Sequence, residues 1–437
     1  MPSAKRQQSS SKALSIIANV LRFILGSVFI FSGFVKAIDP WGVVYKLTDY
    51  AEAFGLTVSQ TGPLWLWLAM LLCLFEFVLG ICIFFAAWRK TALSTALSFL
   101  LVMTPLTLYL AIANPISDCG CFGEAIKLTN WQTFGKNVVL LAITIFLLFN
   151  CKKLFHLISR TWQWMVIGFA IVSLYLFMNG NLRHLPAVDF RPYHIGADIE
   201  TSMEVPDSVP QPVYETKFIL EKEGKKREFT LEDYPDSTWT FVTSRTTLKK
   251  AGYIPPIHDF ELIDTEGNDL TETLFEPGYC FLMVIRELWA EDMHDIINDL
   301  YDYAQTNGYP FFALTSSNDA DVSRWKEQTG ALYDFCLLDD ITLKTMIRSN
   351  PGVLLVKDGI IVNKWSRHDI PRDELLTASL DQEPWAERTK EELHNRFLKI
   401  LCLMFIPYFL LVGISYLAHR NRKEKRTEKN ETNNTSN

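Results

Sequence analysis

Two cysteines separated by one glycine are the residues of this sequence whose type and spacing best suit chemistry. Cys119, Gly120 and Cys121 lie in a short stretch between two apolar segments. The α-carbons of residues i and i+2 are at most about 7 Å apart, and glycine lets the backbone fold more tightly, so a disulfide is within reach although strained. Because a strained disulfide is easily reduced, the pattern predicts a redox pair. A structural disulfide, a partial metal site and two unreactive thiols are the alternatives.

The neighbours of the two cysteines bear on their reactivity. Asp118 and Glu124 flank the pair, and their charges should raise the pKa of both thiols unless Lys127 or a helix terminus comes close. A zinc ion would need two further ligands, and no histidine or additional cysteine is near in the sequence. The other histidines are scattered, so we expect no dedicated metal site.

The composition indicates a protein that is partly embedded in a membrane. Of its 437 residues, 49% are hydrophobic and 13% aromatic, which is high for a soluble protein, whereas 21% are charged, which is high for a chain buried entirely in lipid. The net charge is only −7, and the basic residues form short clusters beside apolar runs. This distribution does not suit nucleic-acid binding and suits a membrane topology.

Six apolar runs are long enough to cross a lipid bilayer as helices, which requires roughly 18 residues or more. The predicted spans are Ala13–Ala37, Leu64–Ala87, Ala92–Ile112, Trp131–Phe149, Trp162–Met178 and Ile400–Leu417. An even number of spans places both termini on the same side of the membrane. The lipid bilayer is therefore one expected partner.

Basic residues between the spans predict the orientation. Lys5 before the first span, Arg89 between the second and third, Lys152 between the fourth and fifth, and the tail Arg420–Lys429 all fall on one face. The positive-inside rule assigns that face to the cytoplasm of an inner, cytoplasmic membrane. The cysteine loop and the region 181–396 then lie outside the cytoplasm, where disulfides persist.

Three ionisable residues stand out within the spans: Arg22 and Lys36 in the first and Glu76 in the second. Charged groups in spans usually face the interior of the bundle and pair, so Glu76 should contact Lys36 or Arg22. Snorkelling to the headgroups is the alternative for Lys36, which is near a span end. We predict a catalytic role for Glu76 together with the two cysteines, and structural roles for Arg22, Lys36 and Gly120.

The first four spans resemble a known family over about residues 15–150. The segments that carry the resemblance are Arg22–Gly26, Phe31–Lys36, Glu76 with Gly80, and Cys119–Gly123. They are similar to the DoxX/MauE family of four-helix membrane proteins. The resemblance implies a bundle related in shape to membrane thiol oxidoreductases of the vitamin K epoxide reductase type, and MauE itself is associated with disulfide formation in an extracytoplasmic partner. This chain departs from those oxidoreductases because it has a CxC instead of a CxxC, without a second loop pair to relay electrons.

The region after the fifth span alternates strand and helix patterns, which predicts an α/β sheet. Its order over residues 250–370, with Asn350-Pro351-Gly352 before a closing hairpin, resembles the thioredoxin fold, and the lead-in Pro255–Leu270 is similar to TlpA-like and peroxiredoxin-like members. The resemblance implies a cis peptide bond at Pro351. It places the reactive CxxC after strand Tyr279–Ile285, where Arg286–Met293 contains no cysteine. Cys280 and Cys336 fall in predicted strands and should be core residues.

The predicted fold class is therefore an α-helical membrane bundle, with a four-helix core and six spans in total, plus an α/β thioredoxin-like domain. The predicted divisions are a cytoplasmic N-terminus 1–12, bundle 13–150, fifth span 161–179, extracytoplasmic linker and β-hairpin region 180–249, thioredoxin-like domain 250–371, connecting helix 372–398, sixth span 399–418 and cytoplasmic tail 419–437. Within 180–249, a stretch rich in Pro, Asp, Ser and Glu, Pro186–Pro212, predicts a linker with one short strand at His194–Ile199, and Glu223-Gly224 between two apolar runs predicts a hairpin turn. The polar residues Asn421–Asn437 are expected to be disordered.

Three functional classes fit these patterns. The first is a membrane thiol-redox component in which Cys119 and Cys121 exchange with an extracytoplasmic client protein and a membrane quinone is a candidate electron acceptor. The second is a non-enzymatic assembly factor whose cysteine-free thioredoxin-like site binds a client beside Asn350-Pro351. The third, a small-solute carrier, ranks last because only Glu76 offers an intramembrane polar site.

Overall fold

The computed structural model describes residues 2–56, 62–116, 119–206, 209–210, 213–222, 225–229, 239–250, 252–258, 260–288, 293–372 and 376–435. Three sequence predictions therefore concern residues outside the described ranges. They are the influence of Asp118 on the thiols, the hairpin turn at Glu223-Gly224, and residues 289–292 of the cysteine-free stretch after the predicted strand.

The described residues form eleven α-helices and nine strands. The helices are α1 (Pro2–Ile38), α2 (Pro40–Ala53), α3 (Pro63–Phe85), α4 (Arg89–Ala113), α5 (Asn130–Phe149), α6 (Gln163–Arg183), α7 (Ile199–Met203), α8 (His294–Asn307), α9 (Asp319–Thr329), α10 (Asp340–Met346) and α11 (Lys390–Thr435). The strands are β1 (Val213–Lys222), β2 (Lys225–Phe229), β3 (Thr240–Lys250), β4 (Ile263–Asp264), β5 (Tyr279–Val284), β6 (Phe311–Thr315), β7 (Asp334–Leu337), β8 (Gly352–Lys357) and β9 (Ile360–Ser366).

Within the described residues, six helical segments are long and apolar enough to cross a membrane, so this is a multi-pass membrane protein. They are Lys12–Ile38, Pro63–Phe85, Arg89–Ala113, Asn130–Phe149, Gln163–Arg183 and Lys390–Ala418. Each contains or closely overlaps one of the six predicted spans, which are thereby confirmed. Hydropathy identifies such helices well because in lipid a helix satisfies its own backbone hydrogen bonds.

Helices α1 and α3 cross at two glycines that have no room for a side chain. A Cβ atom on Gly33 would lie 2.5 Å from the backbone nitrogen of Phe77, and one on Gly80 would lie 2.5 Å from that of Ile30. Small residues let the backbones of membrane helices approach closely. The close approach brings the polar side chains of α1 within reach of those on α3.

Helix α2 follows the first span and was not predicted. Asp39 caps its N-terminus by accepting a 3.0 Å hydrogen bond from the Gly42 backbone N–H, and Pro40 occupies the first helical position, where its missing N–H costs nothing. Val43, Val44 and Ala51 are buried. At 14 residues α2 is too short to cross the membrane. Its Tyr50 hydroxyl contacts the Cys119 carbonyl, so α2 lies at the bundle end that bears the cysteine loop.

The α/β domain is built on a six-stranded sheet with the order β4-β7-β6-β5-β8-β9. Strands β5, β6 and β7 are parallel, whereas β8 and β9 form an antiparallel hairpin beside β5. Apolar clusters cover both faces of the sheet, as a parallel sheet requires. The predicted alternation of strands and helices is confirmed, and so is the cis peptide bond between Asn350 and Pro351. The domain is thioredoxin-like.

The region 186–199 differs from its prediction as a linker. Asp189 pairs with the buried Lys364 at 2.8 Å, and the side chain of Tyr193 packs in the core of the α/β domain. The short strand predicted at His194–Ile199 is reduced to a single bridge between Asp198 and Ile360. The Pro- and Asp-rich composition suggested a flexible segment, but long-range pairing anchors it to the domain.

Two further segments also differ from their predictions. The predicted hairpin gains a third strand, since β3 pairs antiparallel with β1. The connecting helix predicted for 372–398 begins only at Lys390, after a short 3-10 turn at Leu380–Gln382, and then runs on as α11 through the sixth span to Thr435. The tail after Arg420, expected to be disordered, is helical because its Lys-, Arg- and Glu-rich sequence favours continuation of the preceding helix.

Candidate functional site

The two cysteines of the loop between α4 and α5 are close together in the structure. Their Sγ atoms are 3.1 Å apart, and both thiols are free. Gly120 has a φ of +62°, a left-handed conformation that glycine adopts without strain, and a Cβ atom at this position would lie 3.1 Å from Cγ of Lys46. The exposed fractions are 6% for Cys119 and 9% for Cys121, so the pair is shielded from solvent. The geometry suits formation of a bond between the two sulfurs.

Two hydroxyl groups hold the backbone of this loop. The Tyr50 hydroxyl of α2 donates a 2.7 Å hydrogen bond to the Cys119 carbonyl, and the Ser32 hydroxyl of α1 lies 2.7 Å from the Cys121 carbonyl. Sequence reasoning missed both residues. The spacing of Ser32, one helical turn before Lys36, was a signal that could have identified it.

A buried ion pair lies directly below the loop. The Lys36 ammonium is 2.7 Å from both carboxylate oxygens of Glu76, and the Ser32 hydroxyl is 2.7 Å from one of them. This confirms the Lys36 alternative among the predicted partners of Glu76. A serine hydroxyl has one hydrogen, so Ser32 can donate either to the Cys121 carbonyl or to Glu76 at one time. The hydroxyl thus connects the cysteine loop with the ion pair.

Arg22 does not take part in this site. Its guanidinium donates to the Phe155 carbonyl at 2.5 Å and lies over the rings of Phe23 and Phe155, at 4.5 and 4.7 Å from their centroids. Phe155 belongs to the connection between α5 and α6, at the opposite end of the bundle. The Arg22 alternative for pairing with Glu76 is therefore wrong, because an aromatic and carbonyl environment holds the guanidinium elsewhere.

The two thiols have opposite electrostatic environments. The pKa of Cys121 is lowered to about 6, because the Cys119 thiol can donate a hydrogen bond to the Cys121 thiolate and because Lys136 and Lys36 are near. The pKa of Cys119 is raised, because the hydrogen bond to the Cys121 sulfur favours the protonated form of Cys119 and because this thiol is buried. The expectation that both would be raised is wrong for Cys121, since a hydrogen bond with Cys119 and two cations distant in sequence favour its thiolate.

Lys127, which the sequence suggested as a nearby cation, instead pairs with Glu124 at 3.3 Å. The Lys136 ammonium lies 4.5 Å from the ring centroid of Phe122, the residue that follows Cys121. Lys136 is on α5 and could not be connected with the cysteines from sequence spacing. Among the described residues, no group of three or more His, Cys, Asp or Glu side chains is placed to hold a metal ion.

A cavity of about 290 Å³ opens beside the thiols and the ion pair. Its walls are largely apolar, with Phe29, Met103 and Leu140 among them, and its polar lining includes both cysteines, Lys36, Glu76, Lys136 and Asn137. The size is near the lower end for small-molecule sites, roughly 300 Å³ and above. An apolar chamber with a few polar groups at one end suits a flat, weakly polar ligand.

The thioredoxin-like domain closes the same end of the bundle. Arg348 forms a 2.9 Å ion pair with Asp39 at the start of α2, and its guanidinium lies 4.9 Å from the ring centroid of Tyr45. The Arg286 guanidinium donates to the Tyr45 hydroxyl at 3.2 Å, and its backbone N–H donates to the Asn350 side chain at 2.8 Å. Residues Pro186 to Arg191 complete the lining of the cavity. The sheet edge that carries Arg286 and Asn350 therefore faces the bundle.

The cysteines of the thioredoxin-like domain are far less suited to exchange. Cys280 on β5 and Cys336 on β7 are buried in the apolar cluster on one face of the sheet, as predicted. Burial raises the pKa of both thiols, that of Cys336 to about 12. Since the thiolate is the attacking species in disulfide exchange, neither is an activated thiol.

Comparison with known families supports the first part of the sequence interpretation. Residues 14–150 match the family described as "Methylamine utilisation protein MauE", and residues 214–251 match a domain of unknown function, DUF8463. The MauE resemblance is thus confirmed for the bundle, whereas the DoxX label receives no support from this match. The comparison with curated proteins finds no match.

Several solved structures are similar to the α/β domain. They include the thioredoxin domain of a thiol-disulfide oxidoreductase from Bacteroides vulgatus (19% identity, TM-score 0.22, covering 24% of this chain and 81% of that chain). A thiol:disulfide interchange protein from Bacteroides sp. shares 17% identity (TM-score 0.24, 31% and 91%), and a putative one from Chlorobium tepidum shares 14% (TM-score 0.23, 33% and 94%). These values carry no argument about activity. The thioredoxin-like architecture follows from the strand order and from the cis-proline before β8.

Proposed function

We propose that this protein is a membrane thiol–disulfide oxidoreductase that oxidises a dithiol of an extracytoplasmic client through Cys119 and Cys121. The observation that carries the proposal is the 3.1 Å separation of the two sulfurs beside an apolar cavity and a buried ion pair. Both termini are placed in the cytoplasm of the inner membrane, and the thioredoxin-like domain is placed outside it. The clusters of basic residues at the opposite end of the bundle support that orientation.

The reaction divides into two balanced steps. Formation of the Cys119–Cys121 disulfide makes one S–S bond and releases two protons and two electrons. In the second step a client thiolate attacks this disulfide, and the second client thiol then displaces the mixed disulfide, so that the client is oxidised and both protein thiols are restored. Lys136 and Lys36 both lie near Cys121 and favour its thiolate as the leaving group, so the proposal assigns the client bond to Cys119.

A membrane quinone fits the cavity as the oxidant of the first step. When bound, it would supply the chemistry of a two-electron, two-proton acceptor and leave as the quinol. The apolar walls match a ring of that kind, and Lys136 and Asn137, which line the cavity, offer N–H donors for its carbonyl oxygens. Glu76 lies in the same cavity and is within hydrogen-bond distance of Ser32, so it is the group proposed to accept protons released near the loop.

Purified full-length protein in nanodiscs containing a short-chain quinone tests this function. Wild type should oxidise dithiothreitol with matching loss of the quinone absorbance. The Cys119→Ser and Cys121→Ser variants should do neither, whereas Cys402→Ser, a change of an exposed cysteine on α11, should behave as wild type. Oxidation that continues in both loop variants would contradict the assignment.

A mixed-disulfide trap identifies the attacked sulfur. A client-like peptide with one cysteine, offered to the oxidised protein, should become bonded to Cys119 and leave Cys121 as the free thiol. Mass spectrometry of proteolytic fragments distinguishes the two attachments. Attachment to Cys121 alone would reverse the assigned roles without removing the activity.

A second function, client binding by a redox-inactive thioredoxin-like domain, is favoured by one observation. The sequence after β5 has no cysteine, although the cis-proline and the sheet are retained. Arg286 contacts Tyr45 of α2, so a client that pairs beside Asn350-Pro351 has to share or displace that contact. Photo-crosslinking from a residue-350 probe should capture client peptide only when the Arg286 contact is weakened, for example in Tyr45→Ala.

A further inference from the structure

The end of the bundle opposite the cysteine loop contains a second cavity, of about 850 Å³. It is bounded by the turn between α3 and α4, the connection between α5 and α6, and the Ser415 and Tyr416 positions of α11. Nothing in the proposed thiol chemistry uses it. Its lining residues include Arg89, Lys90 and Arg160, and no acidic residue is among those that the structure describes there.

The cations of this cavity have no acidic partners. Across the described side chains, no ion pair joins Arg89, Lys90 or Arg160 to an Asp or Glu residue. Arg89 donates one 2.8 Å hydrogen bond to the Leu154 carbonyl, which fixes its guanidinium at the edge of the cavity. Three positive charges that share a concave site without a counter-charge favour an anion.

Backbone and side-chain donors converge on the same space. Helices α4 and α6 both begin at the cavity, and neither N-cap residue, Trp88 or Trp162, makes a side-chain capping hydrogen bond. Such ends present free N–H groups and partial positive charge. Gln163 lines the cavity and is only 4% exposed, and its Oε1 accepts the Trp88 N–H. Its Nε2 makes no hydrogen bond to another described residue and is not fully enclosed, so this donor is available to a ligand in the cavity.

Aromatic residues indicate the level of the membrane at which the cavity lies. Trp88 and Tyr416 line it, and the Trp88 ring packs edge-on against Trp164, with centroids 4.5 Å apart. All three rings are exposed on the outer surface of the bundle. Tryptophan and tyrosine concentrate where hydrocarbon meets the polar headgroups. The basic cavity thus lies at headgroup level on the basic face of the membrane protein.

We propose that this cavity binds the phosphate group of an anionic ligand. Its position at the level of the lipid headgroups favours an anionic phospholipid as the source of that phosphate. Lys90 and Arg160 contact the phosphate from the exposed rim, and Arg89, Gln163 and the first N–H groups of α4 and α6 contact it from within. Basic pockets between membrane helices bind acidic lipid headgroups by the same combination of positive charge and position at the membrane surface. A free phosphate has the same chemistry, so the experiment must separate the two sources.

Full-length protein purified in neutral detergent is suited to the test. Its thermal unfolding is measured after addition of phosphatidylglycerol, phosphatidylcholine or inorganic phosphate, and native mass spectrometry counts retained lipids. Phosphatidylglycerol alone should stabilise the protein and remain bound, which identifies the lipid. If inorganic phosphate stabilises equally, the site takes soluble phosphate and the phosphate site stands. If phosphatidylglycerol does no more than phosphatidylcholine and phosphate has no effect, the proposal is overturned.

Variants locate the effect. Lys90→Ala and Arg160→Ala change exposed rim residues, and each should weaken phosphatidylglycerol binding about fivefold, the change that corresponds to ~1 kcal/mol per basic residue near a membrane surface. Lys152→Ala removes an exposed cation at the same end of the bundle but outside the cavity lining, and it should leave binding unchanged. Equal losses in Lys152→Ala and in the two rim variants would show a diffuse charge effect and overturn the site.

Discussion

The loop that holds Cys119 and Cys121 and the sheet edge that begins at Arg286 contact the same helix, α2, from two sides. Tyr50 of α2 donates to the Cys119 carbonyl, and Tyr45, just over one turn earlier, accepts from Arg286. The loop has the thiols without a thioredoxin fold, whereas the sheet edge has the fold without the thiols. In this protein a pair of neighbouring thiols and the thioredoxin-like fold therefore occur in separate regions.

The same contrast appears between cysteines. Cys121 lies beside Lys136, Lys36 and a donating thiol, so its pKa is lowered to about 6, whereas Cys336 lies in an apolar strand core and its pKa is raised to about 12. Both side chains are almost fully buried. Charge and hydrogen bonding, not exposure, therefore distinguish the pKa values of the two thiols.

The largest predicted effect is that of replacing the cysteines in each of the two regions. Cys119→Ser or Cys121→Ser should remove dithiol oxidation, with losses of about 100-fold or more, because exchange needs both sulfurs. Cys280→Ala and Cys336→Ala, which change the inert pair, should keep the wild-type rate. Acid quenching followed by labelling in denaturant reports the redox state, since buried thiols react slowly in the folded protein. Loss of activity in Cys280→Ala or Cys336→Ala would move the chemistry to the sheet.

The next effect concerns the ion pair under the loop. Glu76→Leu leaves the Lys36 ammonium buried without its partner, and removal of one member of a buried pair costs about 3–5 kcal/mol. The double variant Lys36→Met/Glu76→Leu should recover thermal stability but not thiol oxidation. Glu76→Gln should insert normally and oxidise dithiols more slowly. Full activity in Glu76→Leu would reduce this carboxylate to a packing residue.

Contact between the two regions can be weakened at Asp39 and Arg348. Each single variant, Asp39→Asn or Arg348→Gln, should loosen the thioredoxin-like domain from α2, and the double-mutant cycle should give a coupling of about 1–3 kcal/mol. Hydrogen exchange of the α2 amides measures this directly. The matched control is Lys357→Gln, which breaks the ion pair with Glu387 within the α/β domain. A coupling near zero would mean that other contacts hold the domain.

The smallest predicted effect concerns the contribution of Lys136 to the lowered pKa of Cys121. Alkylation of Cys121 should follow its thiolate, so the rate should fall as pH drops below about 6. Lys136→Gln removes a positive charge beside the sulfur and should raise that pKa by roughly half a unit, slowing alkylation most near pH 6. Lys127→Gln is the control because Lys127 pairs with Glu124. An unchanged pH profile in Lys136→Gln would show that Lys136 does not contribute to the lowered pKa of Cys121.

Much of the fold could be predicted from the sequence. The six spans follow from apolar length alone, and the strand and helix order of the α/β domain follows from alternating patterns and from Pro351. Helix α2 was missed because 14 mixed residues between two spans carry a weak periodic signal. The 186–199 segment was misjudged because its composition suits a linker, and only the pairing of Asp189 with Lys364 fixes it.

The sequence by itself determined which residues were available for chemistry: a CxC loop, an acid and a lysine in neighbouring spans, and a thioredoxin-like domain without its cysteines. These are local patterns, and local patterns can be recognised from residue type and spacing. Only the tertiary structure decided that Lys36 and not Arg22 pairs with Glu76, that Ser32 and Tyr50 hold the loop, and that Lys136 approaches Cys121. Those contacts join residues 15 to 89 positions apart, and helix packing brings them together.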